Sequence, residues 1–263
     1  MKIWPWAFAI VFVLTVAVVA LRAYYSRRTF ILCYHKIAPF RRGGLKSLFV
    51  RPRYFAAQMG YLKLRGYRTV SLPELAGIIS SGQKLPPKIF AITFDDGYRD
   101  NYTSAYPTLK KNGFRATVFL MASAVGQNYA YPGEPAEEHL SPEEIRLMSD
   151  IIDFGAHTLS HPRLADVSDA QVAVEVSGSK KALKDKAGVD AVTFCYPFGS
   201  CDERSVALAR SDYVAACTTR PGLVSAGADP HLLPRVEFKD LFTMSFRDFF
   251  RAFEFYLKIA LGA

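Results

Sequence analysis

Lys88-Ile89-Phe90-Ala91-Ile92-Thr93-Phe94-Asp95-Asp96-Gly97 holds the clearest structural signal in this chain. An apolar, β-rich run of this length reads as a buried strand, and it stops abruptly at two carboxylates and a glycine. Both acids therefore belong at the C-terminal end of a strand. Neighbouring side chains of extended backbone point to opposite sides, so the pair is expected to divide its labour rather than chelate one ion together. One carboxylate can take a metal while the other, kept ionised by the nearby cation, accepts a proton from water. Gly97 permits a sharp exit. Taken alone, Asp-Asp-Gly also describes an Asx turn or a cap for a helix starting near Asn101.

A second segment tips that balance. Ile151-Ile152-Asp153-Phe154-Gly155-Ala156 is another apolar strand, followed by His157 and His161, whose spacing puts both imidazoles on one face if the segment makes a helical turn. Pro162 argues that such a turn does not continue. Two neutral imidazoles and one carboxylate suit a divalent transition metal such as zinc and leave a position open for water or substrate.

Strand-like runs recur near residues 30–34, 89–94, 117–121, 151–156, 192–196, 213–218 and 233–238. Helical patterns at 53–64, 101–111, 142–148, 169–186 and 203–210 separate most of them. That alternation predicts α/β architecture with a parallel sheet. Ser141 with Glu144 forms a capping box, and Gly113 and Gly188 read as helix stops. With the chemistry at strand C-termini, the expectation is an incomplete or distorted (β/α) barrel. The division is residues 1–28 as an N-terminal anchor or signal peptide and 29–263 as a single catalytic domain.

These segments resemble the polysaccharide deacetylase family, carbohydrate esterase family 4, over roughly residues 30–238. Further family-like pieces are Ser71-Leu72-Pro73-Glu74-Leu75, Ala116-Thr117-Val118-Phe119-Leu120 and Leu140-Ser141-Pro142-Glu143-Glu144-Ile145. The resemblance implies removal of N-acetyl groups from amino sugars, with Asp95 as general base and Asp96, His157 and His161 as ligands of one divalent ion. Zinc is the first choice, with cobalt or nickel as alternatives. Thr193-Phe194-Cys195-Tyr196-Pro197-Phe198-Gly199 resembles the family's third motif, with Pro197 and Phe198 walling the site and the Phe198 amide holding an oxyanion. Many relatives carry a base-orienting arginine where this chain has Cys195; Arg235 is the candidate replacement, and a surface ion pair is its alternative use. The family's C-terminal acid histidine has no match after His231. Instead, His35 ends the strand Phe30-Ile31-Leu32-Cys33-Tyr34, resembling the poly-N-acetylglucosamine deacetylase branch, and is the expected general acid.

The loop 126–139 carries Tyr129 and Tyr131, which either stack on sugar faces or pin the loop. The stripe Phe246, Phe249, Phe250, Phe253 and Leu257 predicts a C-terminal helix over 246–261 packed on the barrel. Residues 3–21 form an apolar stretch of about 19 residues, long enough at 1.5 Å each to nearly span a bilayer of about 30 Å. A cleaved signal peptide, giving a secreted form, is the alternative. Lys2 precedes the span while Arg22, Arg27 and Arg28 follow it, which favours a cytoplasmic domain, whereas a glycan substrate requires an extracytoplasmic one. The latter is expected here.

The formal charge of +9 is uneven, because residues 1–73 hold 13 Lys and Arg and no acid. That excess suits anionic headgroups; a nucleic-acid recognition motif is lacking. Cys33, Cys195, Cys201 and Cys217 form no Cys-x-x-Cys pair, although Cys195 and Cys201 flank a turn and could bridge after export. Competing functions are deacylation of a lipid-linked or small amide substrate, a catalytically silent carbohydrate-binding module, and an iron oxygenase using the same ligand triad.

Overall fold

In the computed structural model, the described residues are 5–41, 43–131, 133, 135–238, 255, 258 and 259. Helix α1 (Pro5–Ser26) leads into seven strands: β1 (Ile31–Tyr34), β2 (Ile89–Phe94), β3 (Ala116–Leu120), β4 (Ile152–Ala156), β5 (Thr193–Cys195), β6 (Ala215–Pro221) and β7 (Leu233–Glu237). Among the described residues these seven close into a parallel barrel. β1 pairs with both β2 and β7, through Ile31↔Ala91 on one side and Val236↔Leu32 on the other. The expected distortion has two sources: the register slips between Cys217 and Pro221 where β6 meets β7, and β4 meets β5 through Ala156↔Phe194.

Strand alternation sorts the side chains into two cores. Phe90, Ile92 and Phe94 of β2 face outward, into a layer shared with helices α2 (Pro52–Leu64), α4 (Tyr106–Asn112), α5 (Pro142–Met148), α6 (Asp169–Ala187) and α7 (Glu203–Asp212). Ile89 and Ala91 face the interior with Ile31, Phe119, Cys195, Ala215, Cys217 and Leu233. Seven strands enclose less room than eight, and the small inward residues fit that narrow bore. Its floor is α3 (Leu72–Ser80), which brings Leu72, Leu75 and Ile79 against Leu85.

All seven strand positions match the sequence expectation closely, and the Ser141–Glu144 capping box and the left-handed Gly113 and Gly188 caps are present. Helix α3 was not anticipated, although Ser71 caps it by accepting a hydrogen bond from Glu74 N. The helix expected from Asn101 opens with a wide turn over Asn101–Ala105 before α4 begins. Phe255, Lys258 and Ile259 are helical and buried, with Phe255 edge-on to Phe30 at 4.8 Å. The stripe residues Phe246, Phe249, Phe250, Phe253 and Leu257 lie outside the described residues. All four cysteines are free thiols, so Cys195 and Cys201 do not bridge.

Gly155 marks a tight crossing of the barrel wall: a Cβ there would lie 2.5 Å from Thr193 Oγ1 and 2.6 Å from Phe119 Cδ1. Gly155→Ala is expected to lower unfolding stability by about 1–3 kcal/mol, measured by urea denaturation of the two proteins side by side.

Candidate active site

The two aspartates part company as expected, for a different physical reason. Asp95 continues the inward alternation of β2. Asp96 has φ 72°, a left-handed conformation that breaks the strand alternation and sets its carboxylate beside His157 and His161, and Gly97 follows at φ 76°. A Cβ on Gly97 would meet Leu120 Cδ2 at 2.7 Å, so the chain there has neither the steric room nor the dihedral for another residue.

His157 and His161 do converge, without a helical turn. The loop after β4 bends through left-handed Thr158 (φ 64°) and His161 (φ 65°). Of five non-glycine residues with positive φ among the described ones, three, namely Asp96, His161 and Phe198, line one pocket, and a fourth, Thr158, follows the pocket residue His157. Such strain persists only where the surroundings enforce it. Here Glu175 of α6, 1% exposed, does so by accepting hydrogen bonds from Leu159 N (2.9 Å), Ser160 N (2.8 Å) and Ser160 Oγ (2.6 Å). Glu175 was not anticipated. Its one sequence signal is an acid between Val172 and Val176, on a helix face that is otherwise buried.

Asp96 Oδ1 lies 3.4 Å from His157 Nε2 and 3.3 Å from His161 Nε2, and the two nitrogens are 3.2 Å apart. For bonds of about 2.0–2.1 Å, a tetrahedral ion has ligands about 3.3 Å apart, so these three donors fit one face of such a polyhedron. The protonation pattern agrees. His157 Nδ1 is 2.7 Å from the Cys195 carbonyl, which can only accept, so the proton sits on Nδ1 and leaves Nε2 bare. Asp96 Oδ1 is buried with no hydrogen-bond donor aligned on it. A second triple, Asp95, His157 and Cys195, also clusters within 4.8 Å. It fits a cation less well, because burial pushes the Cys195 thiol pKa well above its usual value and Asp95 is already engaged.

What engages Asp95 is Arg235, across the barrel on β7. Its Nη1 and Nη2 each donate to one carboxylate oxygen at 2.7 Å. The remaining N–H groups reach Thr218 O (2.8 Å), Thr93 Oγ1 (3.1 Å) and Cys195 Sγ (3.1 Å), so all five guanidinium donors have an acceptor. The expected alternative, a surface ion pair, does not describe a side chain that is 1% exposed. Burial alone would push the Asp95 carboxyl up; the Arg235 charge and hydrogen bonds override it and hold the pKa at about 2. His35 Nε2 lies 3.8 Å from Asp95 Oδ2, and its backbone is held by Asn101 Nδ2 on His35 O and Asp100 Oδ1 on Ile37 N.

These groups share a pocket of about 430 Å³ lined by His35, Asp95, Asp96, Tyr131, His161 and Phe198, among others, a size that suits a small ligand. Pro197 is buried just behind the wall, while Phe198 (φ 57°) stands half exposed with its ring 4.7 Å from that of His161. Of the two loop tyrosines, Tyr131 lines the pocket 5.1 Å from the His161 ring, and Tyr129 packs on Tyr131 and His139.

The polysaccharide deacetylase family model matches residues 82–216, about half of the sequence. YxkH of Bacillus subtilis (strain 168) is 32% identical over 208 residues, covering 78% of this chain and 70% of its own. The chain belongs to the polysaccharide deacetylase family. It is a hydrolase of amide bonds in acetylated sugars, in a family that is generally metal-dependent. The poly-beta-1,6-N-acetyl-D-glucosamine N-deacetylase of Staphylococcus aureus (strain MSSA476) is 23% identical over 207 residues, 74% of this chain and 70% of that one. Among solved structures, the Streptococcus pyogenes deacetylase PplD in complex with acetate superposes with a TM-score of 0.73 at 26% identity, covering 85% of this chain and 97% of that one.

As Glu175 holds the loop that presents both histidines, Glu175→Ala is expected to weaken the binding of an added divalent transition metal roughly 10–100-fold, read by calorimetric titration of chelator-treated protein.

Proposed function

We propose that this polysaccharide deacetylase removes N-acetyl groups from an N-acetylated amino-sugar glycan, poly-N-acetylglucosamine or a close analogue, with one divalent metal, preferably zinc. We assign residues 29–263 to the catalytic domain and residues 3–21 to a membrane anchor, with the domain outside the cytoplasm. The observation that carries this reading is the Asp95–Arg235 pair set beside the Asp96–His157–His161 triangle, with His35 on the other flank. The name of the staphylococcal relative supports the choice of glycan.

In this reading Asp96, His157 and His161 hold the ion, which supplies Lewis acidity to water and to the acetyl carbonyl when bound. Asp95 accepts the proton of the attacking water at Oδ2, the oxygen nearest His35, while Arg235 keeps the carboxylate ionised and fixed in plane. The Phe198 amide, displayed on the left-handed turn after Pro197, donates to the developing oxyanion. His35 delivers a proton to the departing amine. Acetate and a free amino sugar leave. Tyr131 and the Phe198 ring, both packed edge-on to the His161 ring, offer apolar faces for the sugar.

Acetate release from poly-N-acetylglucosamine or chitooligosaccharide tests this directly. Chelation is expected to abolish turnover and zinc to restore it, and Asp95→Asn is expected to lower kcat by about 10²–10⁴-fold with the metal content unchanged. If Asp95→Asn retains full turnover, the assignment of the base fails.

Arg235→Met removes the strongest influence that opposes burial at Asp95. The acid limb of the kcat/KM profile should then move to higher pH, as followed by acetate release between pH 4 and 9. A surface-type role for Arg235 predicts an unmoved profile. The sign for stability is also set: a depressed carboxylate pKa stabilises the fold above the usual carboxylate range and loses that contribution as pH falls toward 2.

A further inference from the structure

The end of the barrel opposite the pocket carries its own pattern. The chain leaves α1 at Ser26, and Arg28–Thr29 pairs antiparallel with Val224–Ser225 before β1 starts. Thr29 Oγ1 donates to the carbonyl of Ile89, the first residue of β2, so α1 joins the barrel at the N-terminal ends of the strands. Its last turn is fixed there. Tyr25 is buried, its carbonyl accepts from Lys258 Nζ at 2.8 Å, and the Arg28 guanidinium lies 3.4 Å over the Tyr24 ring.

On the side of that end where α1 joins, next to β1 and β2, unpaired basic residues cluster, whereas Asp150, Asp153 and Asp190 stand at the starts of β4 and β5 across the barrel. Arg27, Arg28, Arg65, Arg68, Lys84 and Lys88 gather at this end: Arg68 N bonds Lys88 O and Lys88 Nζ bonds Arg65 O. Among the described residues none of the six forms an ion pair with a carboxylate. Above them α1 presents exposed apolar residues on every side, including Phe8, Val11, Phe12 and Val19, and near its end carries exposed Tyr24, an aromatic suited to the headgroup level. A helix apolar all round, 22 residues or about 33 Å long, matches the thickness of a hydrocarbon core.

We infer that the floor of the barrel rests on an anionic bilayer surface through this cationic cluster, so the catalytic mouth opens away from the membrane that holds α1. The six-residue step from Thr29 to His35 runs roughly 20 Å along the strand, or about 15 Å along the barrel axis at the usual strand tilt. An acetyl group on a sugar attached directly to a lipid headgroup lies at the wrong end of the barrel. The substrate is therefore a glycan chain extending past the barrel's height. That last step rests on the deacetylase reading above; the orientation does not.

The test uses the full chain with Cys201→Ser, reconstituted in vesicles of phosphatidylcholine and phosphatidylglycerol. A fluorophore is placed at Lys84→Cys on the floor or Asn128→Cys on the rim, and a headgroup-attached quencher is added. Quenching is expected to be several-fold stronger at 84 than at 128. It should weaken at 84 in pure phosphatidylcholine or in 1 M salt, where the screening length falls to about 3 Å. Equal quenching at the two sites, stronger quenching at 128, or extraction of the protein by alkaline carbonate would overturn the orientation whether or not the protein deacetylates anything. With the orientation established, faster acetate release from a lipid bearing a single N-acetylglucosamine than from the polymer would overturn the substrate inference alone.

Discussion

A guanidinium sealed inside a protein barrel is unfavourable unless every one of its donors is met. Arg235 meets that condition with Asp95, Thr93, Thr218 and Cys195, drawn from three strands besides its own. Removing one partner of such a pair typically costs about 3–5 kcal/mol, because the other is left charged and dry. The same bidentate contact aims the Asp95 carboxylate, keeps it ionised and places Oδ2 toward His35. Barrel closure and the proposed base are thus the same interaction seen from two sides. The bore accommodates it because the facing positions are small: Cys195 and Cys217 leave space where a larger side chain would collide with the guanidinium.

The ligand triangle is built on a different principle. Its residues stand on backbone that strands and helices do not supply, in left-handed conformations at Asp96, Thr158 and His161 that L-residues adopt at some energetic cost. Glu175 offsets that cost from the adjacent helix by saturating the loop's amides, much as a helix cap does. The His157 tautomer is set by the carbonyl of Cys195 on β5, the residue whose thiol accepts from Arg235. Motifs remote in sequence therefore constrain one another through single hydrogen bonds, and the pocket inherits the rigidity of the barrel wall beneath it.

Much of this was legible beforehand. Continuous apolar runs announced the seven strands because both faces of a parallel strand are buried, outward against helices and inward against the bore. Asp95, Asp96, His157 and His161 stood out because carboxylates and imidazoles at strand ends rarely serve packing. Ser141 and Glu144, Gly113 and Gly188 are local devices whose effect needs nothing beyond their own turn, and they act as read. The helix Leu72–Ser80 went unread because Pro73 and a short span disguise its period, although Ser71 and Glu74 carry a usable cap.

What the residues determine alone is what short-range chemistry controls: strand periodicity, helix ends, the donor types available and the apolar length of α1. Tertiary structure decided the rest. That Arg235 faces Asp95 from a strand 140 positions away, that Glu175 holds the histidine loop, and that the two histidines meet through left-handed turns all follow from barrel closure. Closure is a non-local constraint: it selects side-chain partners by their height and facing on neighbouring strands, quantities that spacing along the chain does not encode.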